Sequence, residues 1–110
     1  VDETIMTRHD VPKVAGICDG VNLKLEKCGG IEEGLAIIQT ARAHRLGVMI
    51  GCMVGSSVDI TAAAHLTPLV DYADLDGHIL TANDPYEGMT VQDGWMLIPD
   101  RPGLGVVKRG

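Results

Sequence analysis

Asp2, Lys24, Asp74 and Asp76 are charged residues set at the ends of short apolar runs, where most neighbours are Val, Ile, Leu or Ala. Lys24 interrupts VNLKL. Side chains alternate along a strand, so Asn22, Lys24 and Glu26 point one way while Leu23 and Leu25 point the other. An inward, desolvated lysine can act as a general base; a solvated strand-end lysine gives the same spacing. In ADLD, Asp74 and Asp76 are two positions apart and share one strand face. Paired carboxylates call for a cation between them, either a metal or a ligand ammonium group. The alternative is a loop-capping Asp beside a solvated one. Asp2 is a single carboxylate at another strand end, and a hard cation that keeps its waters uses few protein ligands.

Other candidates are weaker. His9, His44, His65 and His78 show no metal-type spacing, and His65 within AAAHL reads as a packed helix residue. Ser56 and Ser57 are not in a nucleophile elbow. The CGG at 28–30 would suit either a tight turn or an anion contact through backbone N–H groups. PGLGV is not a phosphate loop. Lys27 lies just past the strand and reads as a support for the loop.

The elements that must position these groups follow from periodicity. Short apolar runs alternate with amphipathic stretches, and the run ends near Asp2, Lys24, Cys52 and Asp74 are separated by 22, 28 and 22 residues. That is the length of a βα unit, which makes the fold α/β with parallel strands. The pattern predicts a short helix from an Asp10 cap to about Cys18, with Pro12 in its first turn, then a strand at VNLKL. A helix follows over 29–47 with Ile31, Leu35, Ile38 and Ala41 on one face, stopped by Gly47. VMIGCM reads as a buried strand, Ser56 or Ser57 as the cap of a helix over 58–70, and YADLD as the last strand. No glycine-rich dinucleotide fingerprint follows any strand, so a slice of a (β/α) barrel is favoured, with its active site at the C-terminal strand ends. Such a slice cannot close, and its open edges invite association. From Gly77 the rhythm breaks into a Gly-, Pro- and Asp-rich tail, with a hairpin at 89–98 turning at QDG.

Composition bounds the function. The 110 residues are 45% hydrophobic with a net charge of -6, one Trp, two Tyr and no Phe. Without a basic run or stacking aromatics, no nucleic-acid partner is expected. No apolar stretch is long enough to span a membrane, and no leader is recognisable, so no membrane partner is expected. Cys18, Cys28 and Cys52 suit a reducing cytoplasm. The abrupt start at Val1 suggests a fragment.

In this order and at these spacings, DE at 2–3, NLKLEKCGG, GCM, TAAAH, ADLDG and PGLGV resemble the C-terminal third of enolase-superfamily enzymes of the muconate-lactonizing subgroup. The dipeptide epimerases, of the L-Ala-D/L-Glu epimerase type, are the most similar members. The resemblance implies strands five to eight of a (β/α)7β TIM-like barrel, the enolase C-terminal domain-like fold, over residues 1–76. It implies that the tail, 77–110, packs toward a capping domain. By motif position Asp2 is implied as a ligand of Mg2+, with Glu3 beside it, and Lys24 as one of two acid/base lysines. Asp74 and Asp76 are implied as the pair that holds a dipeptide's ammonium group, with Cys52 and Met53 lining the substrate pocket. The implied reaction is epimerisation, an isomerase activity with a dipeptide substrate. One lysine removes the α-proton to give a magnesium-stabilised enolate, and a second returns a proton to the opposite face. That second lysine, in a Lys-x-Lys motif, and two further metal ligands would lie before Val1, so the chain alone is expected to be inactive. Gly55 stands where many relatives have Glu. An N-acylamino acid racemase, an o-succinylbenzoate synthase, a cycloisomerase and a non-catalytic truncated chain are the alternatives, and a homo-oligomeric parent is left open.

Overall fold

A computed structural model of the chain describes residues 1–2, 5–77 and 82–109. Three parallel strands, β1 (Gly20–Lys24), β2 (Gly47–Gly51) and β3 (Tyr72–Ala73), lie side by side in sequence order. Their register runs from Gly20 opposite Gly47 to Lys24 opposite Gly51, and from Met49 opposite Tyr72 to Ile50 opposite Ala73. Val1 extends this sheet on the β1 side: its amine donates to the Gly20 carbonyl at 2.9 Å, and the Asn22 N–H donates to the Val1 carbonyl at 2.8 Å. The strand-end Asp2 is therefore delivered beside β1, as the βα spacing requires. Among the described residues nothing pairs with the outer edges of Val1 and β3, so the sheet is an open slice.

Helical crossovers cover one face of that sheet. Between Val1 and β1 lie a 3-10 turn, Arg8–Asp10, and the short helix α1 (Val11–Val14). After β1 come a one-turn helix, α2 (Leu25–Cys28), and the long helix α3 (Ile31–Ala43); after β2 comes α4 (Ser57–Ala64). Val21 and Leu23 of β1 and Val48 and Ile50 of β2 are buried against Ile37, Ile38 and Ala41 of α3 and Ile60, Ala63 and Ala64 of α4. The intervening positions, Asn22, Lys24, Met49 and Tyr72, are only partly buried or exposed on the other face. This is the alternation expected of a barrel wall: branched aliphatics toward the helices, functional groups toward the interior. Ile50 is fully buried, and its truncation to Ala would cost about 2–5 kcal/mol.

Several boundaries differ from those the sequence predicts, each for a local reason. Asp10 stands at the N-cap position of α1 but makes no side-chain cap bond to it; the side-chain cap is on the preceding 3-10 turn, from Thr7. Thr7 accepts from the His9 N–H, and Asp10 reaches back to the Thr7 and Met6 N–H groups. The helix α1 ends at Val14 because Ala15 turns extended, short of Cys18. The long helix begins only at Ile31, since Gly29 and Gly30 both adopt positive φ. Its end is set by His44 and by Arg45 at φ 59°, while Gly47 already opens the next strand. Ser56 caps α4 as predicted, but Pro68 lies in a separate 3-10 turn, Thr67–Leu69.

The tail is fastened to α4. Asp84 accepts from both the N–H and the hydroxyl of Ser57 at 2.7 and 2.6 Å, the Met89 N–H donates to Thr61 Oγ1 at 2.7 Å, and His65 Nε2 lies 2.8 Å from the Leu104 carbonyl. β4 (Tyr86–Glu87) pairs antiparallel with β7 (Val107–Lys108). Between them β5 (Thr90–Gln92) and β6 (Trp95–Leu97) form the predicted hairpin. Its turn places Asp93 and Gly94 at φ 52° and 81°, the positive values a two-residue hairpin turn uses. The hairpin is exposed throughout, Trp95 most of all. Among the described residues no helix is long and apolar enough to cross a membrane.

Candidate active site

The interior face of the sheet gathers the candidate groups at its C-terminal end. Lys24, the last residue of β1, is directed by strand alternation away from Leu23 and over the inner face. Its ammonium lies 3.0 Å from Asp2 Oδ2, and its side chain is only 17% exposed. It is therefore an enclosed, paired lysine and not a solvated strand-end one. Lys27, in the single turn of α2, brings a second ammonium to the same carboxylate, 2.6 Å from Oδ1, with a side chain 6% exposed. The short bond from Lys27, reinforced by Lys24, holds the Asp2 carboxyl below the usual aspartate value against the opposing effect of partial burial.

Lys27 was invisible as a site residue in the sequence, where it reads as a loop support. The signal was the one-turn helix that Leu25–Cys28 forms before the CGG turn. Three residues of helix swing a side chain back toward the strand end, whereas three residues of strand would have carried it away.

Gly51 is the register partner of Lys24, and its missing side chain lets Asn22 and the Lys24 stem pack close over the strand. A Cβ there would come within 2.8 Å of Asn22 Oδ1 and 3.3 Å of Lys24 Cε. Asn22 Oδ1 is itself buried without a hydrogen-bond partner among the described residues, an unsatisfied acceptor on the interior face. Beyond Gly51 the ladder continues to Asp74, whose N–H donates to the Ile50 carbonyl at 2.9 Å. Lys24 and Asp74 thus flank Gly51 in one layer, roughly 10 Å apart at two strand spacings. Leu75 turns into the core, so Asp74 and Asp76 both remain exposed, and neither forms an ion pair among the described residues. Cys52 is partly buried and Met53 exposed just past β2. A Cβ on the buried Gly77 would lie 3.2 Å from Cys52 Sγ, which places this loop beside the Asp76 segment. Gly55 packs over Asp59, whose Oδ2 would lie 2.9 Å from an added Cβ.

Glu3 and His78 lie outside the described residues. Among the described residues no group of three or more His, Cys, Asp or Glu could hold a metal. Asp2 nevertheless fits a hard cation as one ligand in its donor chemistry: it is a strand-end oxygen donor kept ionised, although the two ammonium groups beside it oppose a cation. A second, neutral oxygen without a partner, Asn22 Oδ1, is on the same face.

Comparison with known proteins identifies the family and the fold. Residues 1–109 match the family model described as enolase C-terminal domain-like. A hydrophobic dipeptide epimerase of a Flavobacteria bacterium is 51% identical over 105 residues, covering 96% of this chain and 30% of that protein. An L-Ala-D/L-Glu epimerase of Bacteroides thetaiotaomicron is 41% identical over 107 residues, covering 97% and 28%. The crystal structure of a dipeptide epimerase from Methylococcus capsulatus, complexed with Mg and the dipeptide L-Arg-D-Lys, superposes with a TM-score of 0.90 at 36% identity, covering 96% of this chain and 32% of that one. The chain thus spans about 30% of the length of the relatives it matches.

Proposed function

The chain belongs to the enolase C-terminal domain-like family, its fold is the C-terminal part of a TIM-like barrel, and from that premise we propose that it serves a dipeptide epimerase. The activity is that of a protein in which the remaining barrel strands and a second lysine are present. Lys24 is the base for one face of the substrate α-carbon, Asp74 and Asp76 receive the dipeptide ammonium, and Cys52 and Met53 border the pocket. Asp2 is one ligand of Mg2+, which when bound supplies positive charge to the substrate carboxylate as the α-proton leaves.

The observation that carries this reading is the layer Lys24–Gly51–Asp74. An enclosed lysine and an uncompensated pair of carboxylates stand either side of a residue with no side chain. A substrate lying over Gly51 can present its α-carbon to Lys24 and an ammonium to Asp74 and Asp76, where two charge-assisted bonds form in place of hydration. Removing the α-proton then asks little movement of the chain: the lysine is held at the strand end, and the leucines behind it keep water from that side. An N-acylated or cyclic acid has no ammonium for the aspartate pair, which separates this reading from the racemase, synthase and cycloisomerase alternatives. Residues 77–110 support the site by capping α4 through Asp84 and offer the apolar hairpin around Trp95 to a capping domain.

The test is α-proton exchange in D2O, followed by proton NMR, on the complete protein with Mg2+ and a panel of L,L- and L,D-dipeptides. Exchange at one α-carbon, with inversion, is expected, and acetylation of the substrate amine is expected to suppress it. Exchange indifferent to acetylation would overturn the assignment of Asp74 and Asp76. A coding region with no Lys-x-Lys strand and no further strand-end carboxylates before Val1 would leave Lys24 without its partners, and the epimerase reading would fall.

A further inference from the structure

Lys27 has no part in the reaction outlined above, yet it makes the closest contact in the site. Asp2 is held by a different lysine at each oxygen: Lys27 at Oδ1, 2.6 Å, and Lys24 at Oδ2, 3.0 Å. The two are not equivalent. Lys24 reaches along the open interior face, beside the bare Gly51. Lys27 is the more enclosed, and it hangs from a turn fixed by the Gly29 N–H donating to the Leu25 carbonyl at 2.9 Å, with Gly29 at φ 94° closing it. Lys24 can leave Asp2 toward a substrate; Lys27 is fastened where it is.

We propose that Lys27 makes Asp2 a ligand through one oxygen only and thereby biases the site toward Mg2+ over Ca2+. This rests on the reading of Asp2 as a metal ligand. Ca2+ takes about six to eight oxygens and readily accepts both oxygens of one carboxylate, whereas Mg2+ requires a near-ideal octahedron at about 2.0–2.1 Å and is served by one oxygen per carboxylate. With Oδ1 committed to a buried ammonium, the two-oxygen mode is closed. Ca2+ loses a contact it would use, and Mg2+ does not. The positive charge of Lys27 opposes both divalent ions alike, so it cancels from the ratio of their affinities. That ratio reports the geometric role alone.

The experiment is isothermal titration calorimetry of the complete protein with MgCl2 and with CaCl2, without substrate, for the wild type, Lys27→Met, Lys27→Gln and Lys27→Arg. Lys27→Met is expected to lower the Mg2+:Ca2+ affinity ratio by about tenfold or more, within the range known for groups that orient metal ligands. Lys27→Arg, which restores a charged donor, is expected to keep the ratio within about threefold of wild type. Should Lys27→Met fail to fold, Lys27→Gln decides: its neutral bond is weaker, so a smaller drop in the same direction supports the proposal. An unchanged ratio in the apolar or neutral variant overturns it while leaving the epimerase reading intact. If Asp2→Asn binds both metals as the wild type does, Asp2 is no ligand; the proposal and that part of the functional reading then fail together.

Discussion

The two ends of the site treat negative charge in opposite ways. At the Asp2 end one carboxylate meets two ammonium groups, both largely enclosed, so the chain neutralises its own charge. At the Asp74 end two exposed carboxylates stand two residues apart with no cation among the described residues. On the proposed reading, the first arrangement stores a base and a ligand in a paired resting state. The second leaves a charge deficit for something from solution to fill. An uncompensated pair at a strand end adds nothing to stability, so on the proposed reading it serves binding, while the compensated cluster serves both structure and chemistry.

The most severe way to break this contrast is to remove Lys24. In the complete protein Lys24→Met is expected to lower α-proton exchange by at least about a thousandfold, toward the upper range for a positioned acid or base. A loss below tenfold would make Lys24 merely the resting partner of Asp2. The aspartate end comes next. Asp74→Asn with Asp76→Asn is expected to reduce kcat/KM for dipeptides by about a hundredfold to ten-thousandfold, at roughly 1.5–3 kcal/mol for each charge-assisted bond. Turnover of the N-acetylated dipeptide, already poor, should change by less than about tenfold. Equal losses on both substrates would show that the aspartates hold the fold and not the ammonium.

Gly51 sharpens the comparison from the middle. An added methyl group meets Asn22 Oδ1 at 2.8 Å and Lys24 Cε at 3.3 Å, so Gly51→Ala must move one of them. The lysine stem is the more flexible of the two. About a tenfold fall in kcat with little change in thermal stability is expected, read by the same exchange assay and a melting curve. A stability loss with unchanged kcat would mean that Asn22 and the wall yield instead.

Much of this was legible in the sequence because βα periodicity is written in apolar spacing. The strand end at Lys24, the capping serine of α4 and the hairpin turn at Asp93 and Gly94 all follow from local chemistry, whereas the last strand stops at Ala73, so Asp74 and Asp76 lie just past it and not on the expected strand. The inward face of Lys24 followed from the leucines flanking it. The Asp2–Lys27 contact was hidden because it depends on one helical turn, Leu25–Cys28, too short to leave a periodic trace. The close approach of Asn22 and Lys24 to Gly51 was hidden because register between strands separated by a long helix is a tertiary fact. The fastening of the tail by Asp84, Thr61 and His65 was likewise unreadable, since each bond joins residues 27–39 positions apart through side chains that look ordinary alone.

The smallest expected effect tests the compensated end by acid. The Asp2 carboxyl is held below its usual value, chiefly by Lys27, so the folded state favours its ionised form. A depressed carboxylate contributes stability that is present above its unfolded value, near 3.8, and is lost as pH falls through the lower folded value. Asp10, pushed down to about 2 by the Thr7 and Met6 N–H groups and by Lys13, acts in the same direction, so the acid slope of the wild type alone does not isolate Asp2. The difference between wild type and Asp2→Asn does. Melting curves from pH 7 to pH 2.5 should show the wild type more stable at neutral pH and the gap narrowing below about pH 4. Because the Asp2 side chain is 35% exposed, water screens the pair; a gap below about 1 kcal/mol is expected, shrinking further in 0.5 M salt. A gap constant across that range would mean the two lysines do not hold Asp2 in solution, and the contrast between the two ends of the site would lose its compensated half.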